Sequence, residues 1–333
     1  MTHPTAVLFC PGRGAYGREE LGSIRRLEPR GEIAAALDAA DEARRAEGRP
    51  AVRDLDAADR FRPGLHLDGE NAAELIYFAT LAHVARLRER YRILAVGGNS
   101  LGWYTALPAA GALDPLAGRT LVATMARLQK SVKGGQILTT TVDERWLTDP
   151  PLAVAVERAL QGVGRDVSFC ARSIRLGGHE VLAGTDEAVA ALLERLPSVK
   201  IGSREFPIRL AGHGPFHTKL CEGIADAAED ALADLPVRRP ECHLIDGFGS
   251  LHTPWSADPS GLLDYTLREQ VVETFDFTAA VRTAMREFQP DVLLCAGPGT
   301  SLRAPVGHVV LREGWRGIAD RDALFESGIV RTG

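Results

Sequence analysis

Hydrophobic residues recur along the chain in two patterns, and their alternation predicts an α/β protein. Short apolar runs at 6–10, 93–96 and 292–295 are each followed at once by a glycine-rich turn, which is typical of strands buried on both faces of a parallel sheet. Stretches with helical spacing or composition are predicted as helices at 32–47, 71–91, 101–110, 218–235 and 277–287. A strand, a glycine turn and a helix in that order form the βα unit of a parallel sheet.

The middle of the chain has a different pattern. Its predicted elements are, in order, a strand at 136–142, a helix at 151–162, strands at 167–171 and 179–183, a helix at 185–196 and a strand near 203–210. This βαββαβ order is ferredoxin-like. The predicted fold class is therefore α/β, with a parallel-sheet domain (1–134 and 209–333) and an inserted ferredoxin-like subdomain (135–208).

Composition narrows the functional classes. The 333 residues carry a net charge of -5. The chain therefore lacks the overall positive charge that would favour binding to nucleic acid. No apolar run approaches the roughly 20 residues of a membrane span, and the first residues do not resemble a secretory signal. Five cysteines without a CxxC pair are expected to be free thiols in a reducing cytoplasm rather than disulfides or metal ligands.

A candidate nucleophile lies in the sequence GNSLG at 98–102, between a predicted strand and a predicted helix. In a GxSxG motif the glycines permit a sharp turn that exposes the serine, here Ser100, at the edge of the sheet. The N–H of Leu101 would then lie at a helix N-terminus, where it could stabilise an oxyanion. A glycine-bordered turn with an ordinary serine is the alternative.

A nucleophilic serine needs a base within hydrogen-bond distance, and that base needs an orienting partner. Among the nine histidines, His213 and His217 bracket a Gly-Pro turn just before a predicted helix. The residues alone do not decide between the two.

Four motifs, in order, resemble those of the malonyl-CoA:acyl-carrier-protein transacylases and of the acyltransferase domains of polyketide synthases. They are CPGRG at 10–14, GNSLGWYTAL at 98–107, PFHT at 215–218 and CAGPGTSL at 295–302. The corresponding family motifs are FPGQG, GHSLGEYSAL, PFHS and EVGPGxxL. The resemblance spans nearly the whole chain, and the predicted insertion falls where the family has its own. It implies that the parallel-sheet domain is α/β-hydrolase-like and catalytic.

The resemblance implies a mechanism for this chain. Ser100 would accept the acyl group, His217 would be its base, and a backbone carbonyl at Gln270 would orient the imidazole. The N–H groups of Arg13 and Leu101 would form the oxyanion hole. An acyl group would pass from a CoA or carrier-protein thioester to the phosphopantetheine thiol of an acyl carrier protein, in fatty-acid or polyketide biosynthesis, with no bound cofactor and no metal.

Several positions depart from the family pattern. Met125 lies where the family has an arginine that pairs with the malonyl carboxylate, Asn99 replaces a histidine, and Arg13 replaces a glutamine. Arg127 and Arg172 are further candidate cations, so the predicted substrate-binding positions are Asn99, Met125, Arg127 and Arg172. Because a thioether cannot pair with a carboxylate, the prediction is a neutral acyl group, acetyl or longer, unless one of the three arginines supplies the charge.

Two other functions stay open at this point. One is a thioester hydrolase that clears acyl groups from carrier proteins on the same scaffold. The other is a non-catalytic scaffold that binds carrier proteins, against which the presence of both Ser100 and His217 argues.

Overall fold

Two main sheets and the helices around them organise the chain. The computed structural model describes residues 3–332. Its strands are β1 (Thr5–Cys10), β2 (Arg92–Gly98), β3 (Gly135–Thr140), β4 (Cys170–Leu176), β5 (His179–Gly184), β6 (Val199–Ile201), β7 (Arg204–Phe206), β8 (Ile208–Arg209), β9 (His243–Ile245), β10 (Leu251–His252), β11 (Phe275–Asp276), β12 (Val292–Cys295) and β13 (Val330–Thr332).

Helices connect and cover these strands. They are α1 (Ser23–Leu27), α2 (Gly31–Ala46), α3 (Val52–Asp56), α4 (Pro63–His66), α5 (Gly69–Arg88), α6 (Leu101–Ala109), α7 (Pro115–Leu128), α8 (Pro150–Asp166), α9 (Asp186–Arg195), α10 (Glu222–Leu232), α11 (Pro259–Asp264), α12 (Gln270–Val272), α13 (Phe277–Phe288), α14 (Arg303–Arg312) and α15 (Arg321–Ser327). A π-helical turn, Tyr265–Glu269, joins α11 to α12. Within residues 3–332 no helix combines the length and apolarity needed to cross a bilayer.

The larger sheet has the strand order β10-β9-β2-β1-β12-β13. Its strands pair in parallel except for β10, which runs antiparallel to β9. From Ala6 to Cys10 the central strand β1 is fully buried, because helices cover both faces of a parallel sheet. The apolar runs that predicted β1, β2 and β12 are therefore explained, and the α/β fold class is confirmed.

The smaller sheet has the order β11-β4-β5-β3-β8, with antiparallel pairing from β4 to β8. Ile137 and Leu182 on one face pack against α8 and α9 in a second hydrophobic core. Leu138 and Val181, one residue along each strand, face the main core instead. This alternation gives the sheet two apolar faces, one covered by its own helices and one turned toward the larger sheet.

The predicted elements of this region differ in detail from the structure. The strand predicted at 167–171 begins only at Cys170, because α8 continues to Asp166 and the Val167 N–H still bonds to the carbonyl of Val163. The strand predicted near 203–210 is interrupted at Pro207, which has no N–H for a sheet hydrogen bond. Strand β11, from outside 135–208, pairs with β4 and extends the sheet.

Candidate active site

Ser100 occupies the turn between β2 and α6. Its backbone has φ 55 and ψ -115, a conformation that non-glycine residues rarely adopt. A Cβ on Gly102 would overlap the backbone carbonyl of Cys10, and one on Gly98 would overlap the backbone of Gly102. The two glycines are therefore required by close backbone approach, which holds the serine in its strained turn.

His217 faces this serine. Its Nε2 lies 2.7 Å from Oγ of Ser100, and its Nδ1 bonds to the backbone carbonyl of Gln270. The carbonyl can only accept, so Nδ1 carries the proton and Nε2 is free to take one from the hydroxyl. No acidic side chain of residues 3–332 bonds to this imidazole. His213 instead places Nδ1 3.0 Å from Oε1 of Gln136, so geometry distinguishes the two histidines.

Burial keeps His217 neutral. Only 4% of the residue is exposed, and this desolvation lowers the pKa of His217 to about 4, although its hydrogen bond to Gln270 acts in the opposite direction. At neutral pH the imidazole is therefore uncharged. That is the form that can accept a proton from Ser100.

The Gln270 carbonyl is available because of where its helix ends. The π-helical turn precedes Gln270, and the helix stops at Val272, so the carbonyls of this last turn have no partners within the helix. The Trp103 indole N–H donates to the Thr266 hydroxyl at 3.0 Å. This bond joins the helix that begins beside Ser100 to the π-helical turn that carries the partner of His217.

Two backbone N–H groups near Ser100 have no acceptor among residues 3–332. The hydrogen bonds within residues 3–332 include none donated by the N–H of Arg13 or of Leu101. The next two N–H groups along α6, those of Gly102 and Trp103, bond back to the turn. Arg13 and Leu101 line the same small cavity as Ser100, so the geometry suits an oxyanion hole.

That small cavity has a volume of about 20 Å³, room for roughly one water molecule. Besides Ser100, His217 and the two N–H donors, its walls are formed by Tyr104, Gln129, Phe216, Ile224 and Val271. None of these five residues was predicted from the sequence to line the cavity. Tyr104 and Phe216 lie inside the recognised motifs, which was a usable signal, whereas nothing in the sequence marked Gln129.

A larger cleft of 580 Å³ leads to Ser100 and Arg13 from the smaller sheet. Leu138, Ile174 and Val181 of that sheet form part of its apolar wall. Arginines also line it, at positions 204, 303 and 321. The cleft therefore combines apolar surface with positive charge and ends at the serine.

Two predicted substrate-binding residues have different environments. Asn99 lines the larger cleft, and its buried Oδ1 has no hydrogen-bond partner within the described chain. Met125 is only 1% exposed and belongs to the hydrophobic core under α7. It lines neither cavity, because its side chain is used in packing.

The other two predicted substrate-binding residues, Arg127 and Arg172, line neither cavity. Arg127 is exposed and lies 3.6 Å from Glu47. Arg172 bonds to Glu180 at 2.8 Å and to Glu157 at 3.1 Å. The structure does not bring either guanidinium to the cavities, because each is held by carboxylates elsewhere.

The described part of the chain shows no set of side chains arranged to bind a metal ion. Across residues 3–332, no group of three or more His, Cys, Asp or Glu side chains converges as a metal site.

Comparison with known proteins identifies the fold. No protein-family model matches the sequence, and no curated protein sequence matches it. Among solved structures, the malonyl-CoA:acyl carrier protein transacylase of Xanthomonas oryzae aligns with a TM-score of 0.74 and 21% identity, over 100% of this chain and 95% of that one. The transacylase of Synechocystis gives 0.73 and 18%, over 99% and 96%.

A third structure is a type II polyketide synthase malonyl-transacylase in complex with its acyl carrier protein. It aligns with a TM-score of 0.74 and 19% identity, over 98% of this chain and 99% of that one. The chain therefore has the fold of the malonyl-CoA:acyl carrier protein transacylases, as its four motifs predicted.

Proposed function

We propose that the protein is an acyltransferase that carries an acyl group on Ser100, from a CoA or carrier-protein thioester to the phosphopantetheine thiol of an acyl carrier protein. The observation that carries the proposal is the 2.7 Å contact between Oγ of Ser100 and the neutral Nε2 of His217. Acyl transfer also requires donors that stabilise an oxyanion, and the same cavity has two N–H groups without an acceptor in the described part of the chain.

The first half of the reaction loads the enzyme. Oγ of Ser100 attacks the thioester carbon while Nε2 of His217 takes the hydroxyl proton, and the N–H groups of Arg13 and Leu101 receive the developing oxyanion. The C–S bond then breaks, and the imidazolium returns its proton to the leaving thiolate. The products are acyl-Ser100 and a free thiol.

The second half reverses these steps with a new thiol. Nε2 of His217 takes the proton of the phosphopantetheine thiol, whose sulfur attacks the ester carbon. The bond from carbon to Oγ breaks, and the proton passes to Ser100. The acyl carrier protein leaves with a thioester, and the enzyme regains its starting state.

Transfer to a carrier-protein thiol is supported by the larger cleft, which is also lined by Ser100. A thiol on a long flexible arm could reach the serine through this cleft. The arginines at positions 204, 303 and 321 in that cleft suit the phosphate of such an arm. A cytoplasmic location, where CoA thioesters are made, belongs to the same proposal.

The test is covalent loading. Wild-type protein and Ser100→Ala are incubated separately with malonyl-CoA, acetyl-CoA and butyryl-CoA, and intact mass is followed by peptide mapping. We expect wild type to gain one acyl group on the peptide containing Ser100 from at least one donor, and Ser100→Ala to gain none. Absence of any adduct on wild type would favour the carrier-binding scaffold and overturn the proposal.

A further inference from the structure

Arg13 differs from the other buried arginines of the structure. Arg44, which is fully buried, lies 2.7 Å from Glu74, and Arg119 lies 2.9 Å from the same carboxylate. The partly buried Arg13 has no carboxylate within ion-pair distance in residues 3–332. The Asp68 carboxylate acts on Arg13 through its field alone.

The polar contact of the Arg13 guanidinium is with a neutral group. One terminal nitrogen donates to Oε1 of Gln129 at 2.9 Å, and the guanidinium carbon lies 5.3 Å from the ring centre of Phe216. Tyr104 and His213 are the other titratable groups that face it. Burial raises the pKa of Tyr104 and lowers that of His213 to about 3, so both are neutral at pH 7.

Burying a cation without a counter-ion is unfavourable, and burial lowers the pKa of Arg13 accordingly. An incoming carboxylate would supply the missing partner with a geometry that matches the planar guanidinium. The side chain lines the same small cavity as Ser100. A carboxylate here would therefore be carried by the acyl group itself.

We infer that Arg13 is the carboxylate-binding residue of the acyl site, and that the preferred substrate is a short dicarboxylic acyl group, such as malonyl, held as a monothioester. This inference rests on the proposed function, since it concerns the group that Ser100 carries. The residue that binds the carboxylate would then lie in the loop after β1, and not in α7 at the position of Met125. A carboxylate-binding Arg13 also favours the alternative left open by the sequence, in which one of three arginines supplies the charge, over the predicted neutral acyl group.

The size of the cavity limits the acyl chain. A volume of about 20 Å³, room for roughly one water molecule, favours a short acyl chain. A neutral acyl group of the same size would leave the Arg13 guanidinium without a counter-ion. The expected discrimination is about 100-fold, the usual effect of a hydrogen-bonded pair that includes a charge.

The first experiment uses the wild-type protein alone. Loading of Ser100 is measured by mass as kcat/KM for malonyl-CoA, for the thioester of malonic acid monoamide, which has the same shape without the charge, and for acetyl-CoA. We expect malonyl-CoA to exceed the monoamide by about 100-fold. Equal rates for the charged and uncharged isosteres would overturn the inference, while loading by no thioester would instead refute the proposed function.

The second experiment assigns the charge to its residue. The ratio of malonyl to acetyl kcat/KM is compared for wild type, Arg13→Gln, Arg13→Lys and the matched control Arg127→Gln, which removes an exposed arginine. We expect the ratio to fall about 100-fold in Arg13→Gln, to fall less in Arg13→Lys and to stay unchanged in Arg127→Gln. An unchanged ratio in Arg13→Gln would assign the carboxylate to another residue. If that variant does not fold, the isostere comparison decides.

Discussion

At the scale of single residues, the site contains two residues with strained backbones, Ser100 and His217. Hydrogen bonds join Ser100 to His217 and His217 to the carbonyl of Gln270. Ser100 has φ 55 and His217 has φ 57, and each non-glycine residue held there costs on the order of 1–3 kcal/mol. The surrounding structure holds both, so the hydroxyl and the imidazole meet without rearrangement. The partner of His217 is a backbone carbonyl, which orients the ring without adding a negative charge.

The group of Gln270 that bonds to His217 is its backbone carbonyl and not its side chain. Gln270→Ala keeps the carbonyl that bonds to His217, so we expect the rate of Ser100 loading to stay within about tenfold of wild type. His217→Ala removes the base and should lower the rate by about 10³-fold or more. Loading is measured by mass with a saturating acyl-CoA. Near-normal loading by His217→Ala would show that another group is the base.

The low pKa of His217 sets the acid limit of loading. Only the neutral imidazole can accept the Ser100 proton, and the pKa of about 4 means that protonation begins well below the range of a free histidine near 6.5. We expect the loading rate to be constant from pH 8 to about 5 and to fall by half near pH 4. The measurement is single-turnover loading across this range. A half-maximal rate near pH 6.5 would mean that the imidazole is solvated in the working enzyme.

At the scale of elements, the strand-turn-helix around Ser100 depends on glycines rather than on side-chain packing. Gly102 lies so close to the backbone of Cys10 that no Cβ fits. A Cβ added to Gly223, in the first turn of α10, would have no atom of the described chain within 4 Å. The two positions therefore give opposite expectations for the same substitution.

Gly102→Ala should separate β1 from the start of α6, and we expect loss of Ser100 loading together with a fall in the free energy of unfolding of several kcal/mol. Gly223→Ala should leave loading unchanged and raise stability by up to about 1 kcal/mol, because alanine is the better helix former. Urea unfolding and mass-based loading check both variants. Wild-type stability in Gly102→Ala would contradict the described approach of the two backbones.

Sequence reasoning identified these elements where a local signal existed. The glycines of the turn, the apolar run of β2 and the spacing of α6 are all contiguous, so they could be interpreted directly. The π-helical turn and the two-residue strand β11 have no local pattern, because tertiary contacts form them. Likewise, the contacts of Arg13 depend on Gln129 and Phe216, which lie far away along the chain.

At the scale of the whole molecule, four neutral histidines lie around the two cavities between the sheets. Burial lowers the pKa of His179 to about 4, of His213 to about 3 and of His217 to about 4, and it lowers that of His308 as well. All four line one or the other cavity. The junction of the two sheets therefore depends on imidazoles that stay uncharged.

This burial predicts a loss of stability in mild acid. In the unfolded chain each histidine takes up a proton near pH 6.5, whereas the folded chain leaves it neutral until far lower pH, so unfolding is favoured as pH falls below 6.5. Each buried histidine contributes up to about 2 kcal/mol of this loss at pH 5. Glu180, whose pKa burial raises, acts in the opposite direction but is a single group.

The measurement is the free energy of urea unfolding at pH 7, 6 and 5. We expect it to fall by several kcal/mol, and to fall less steeply in His179→Gln, which removes one of the four groups. Equal values at pH 7 and pH 5 would show that these imidazoles are hydrated in solution.

The fate of the acyl group on Ser100 distinguishes an acyltransferase from a hydrolase. Loaded protein, freed of CoA, is divided among buffer, an acyl carrier protein without phosphopantetheine, and the same carrier protein with it. Mass spectrometry then follows the enzyme and the carrier. We expect a stable acyl-Ser100 in the first two samples, and in the third a loss from the enzyme matched by a gain on the carrier thiol. Release of free acid at one common rate in all three samples would contradict it and identify a hydrolase.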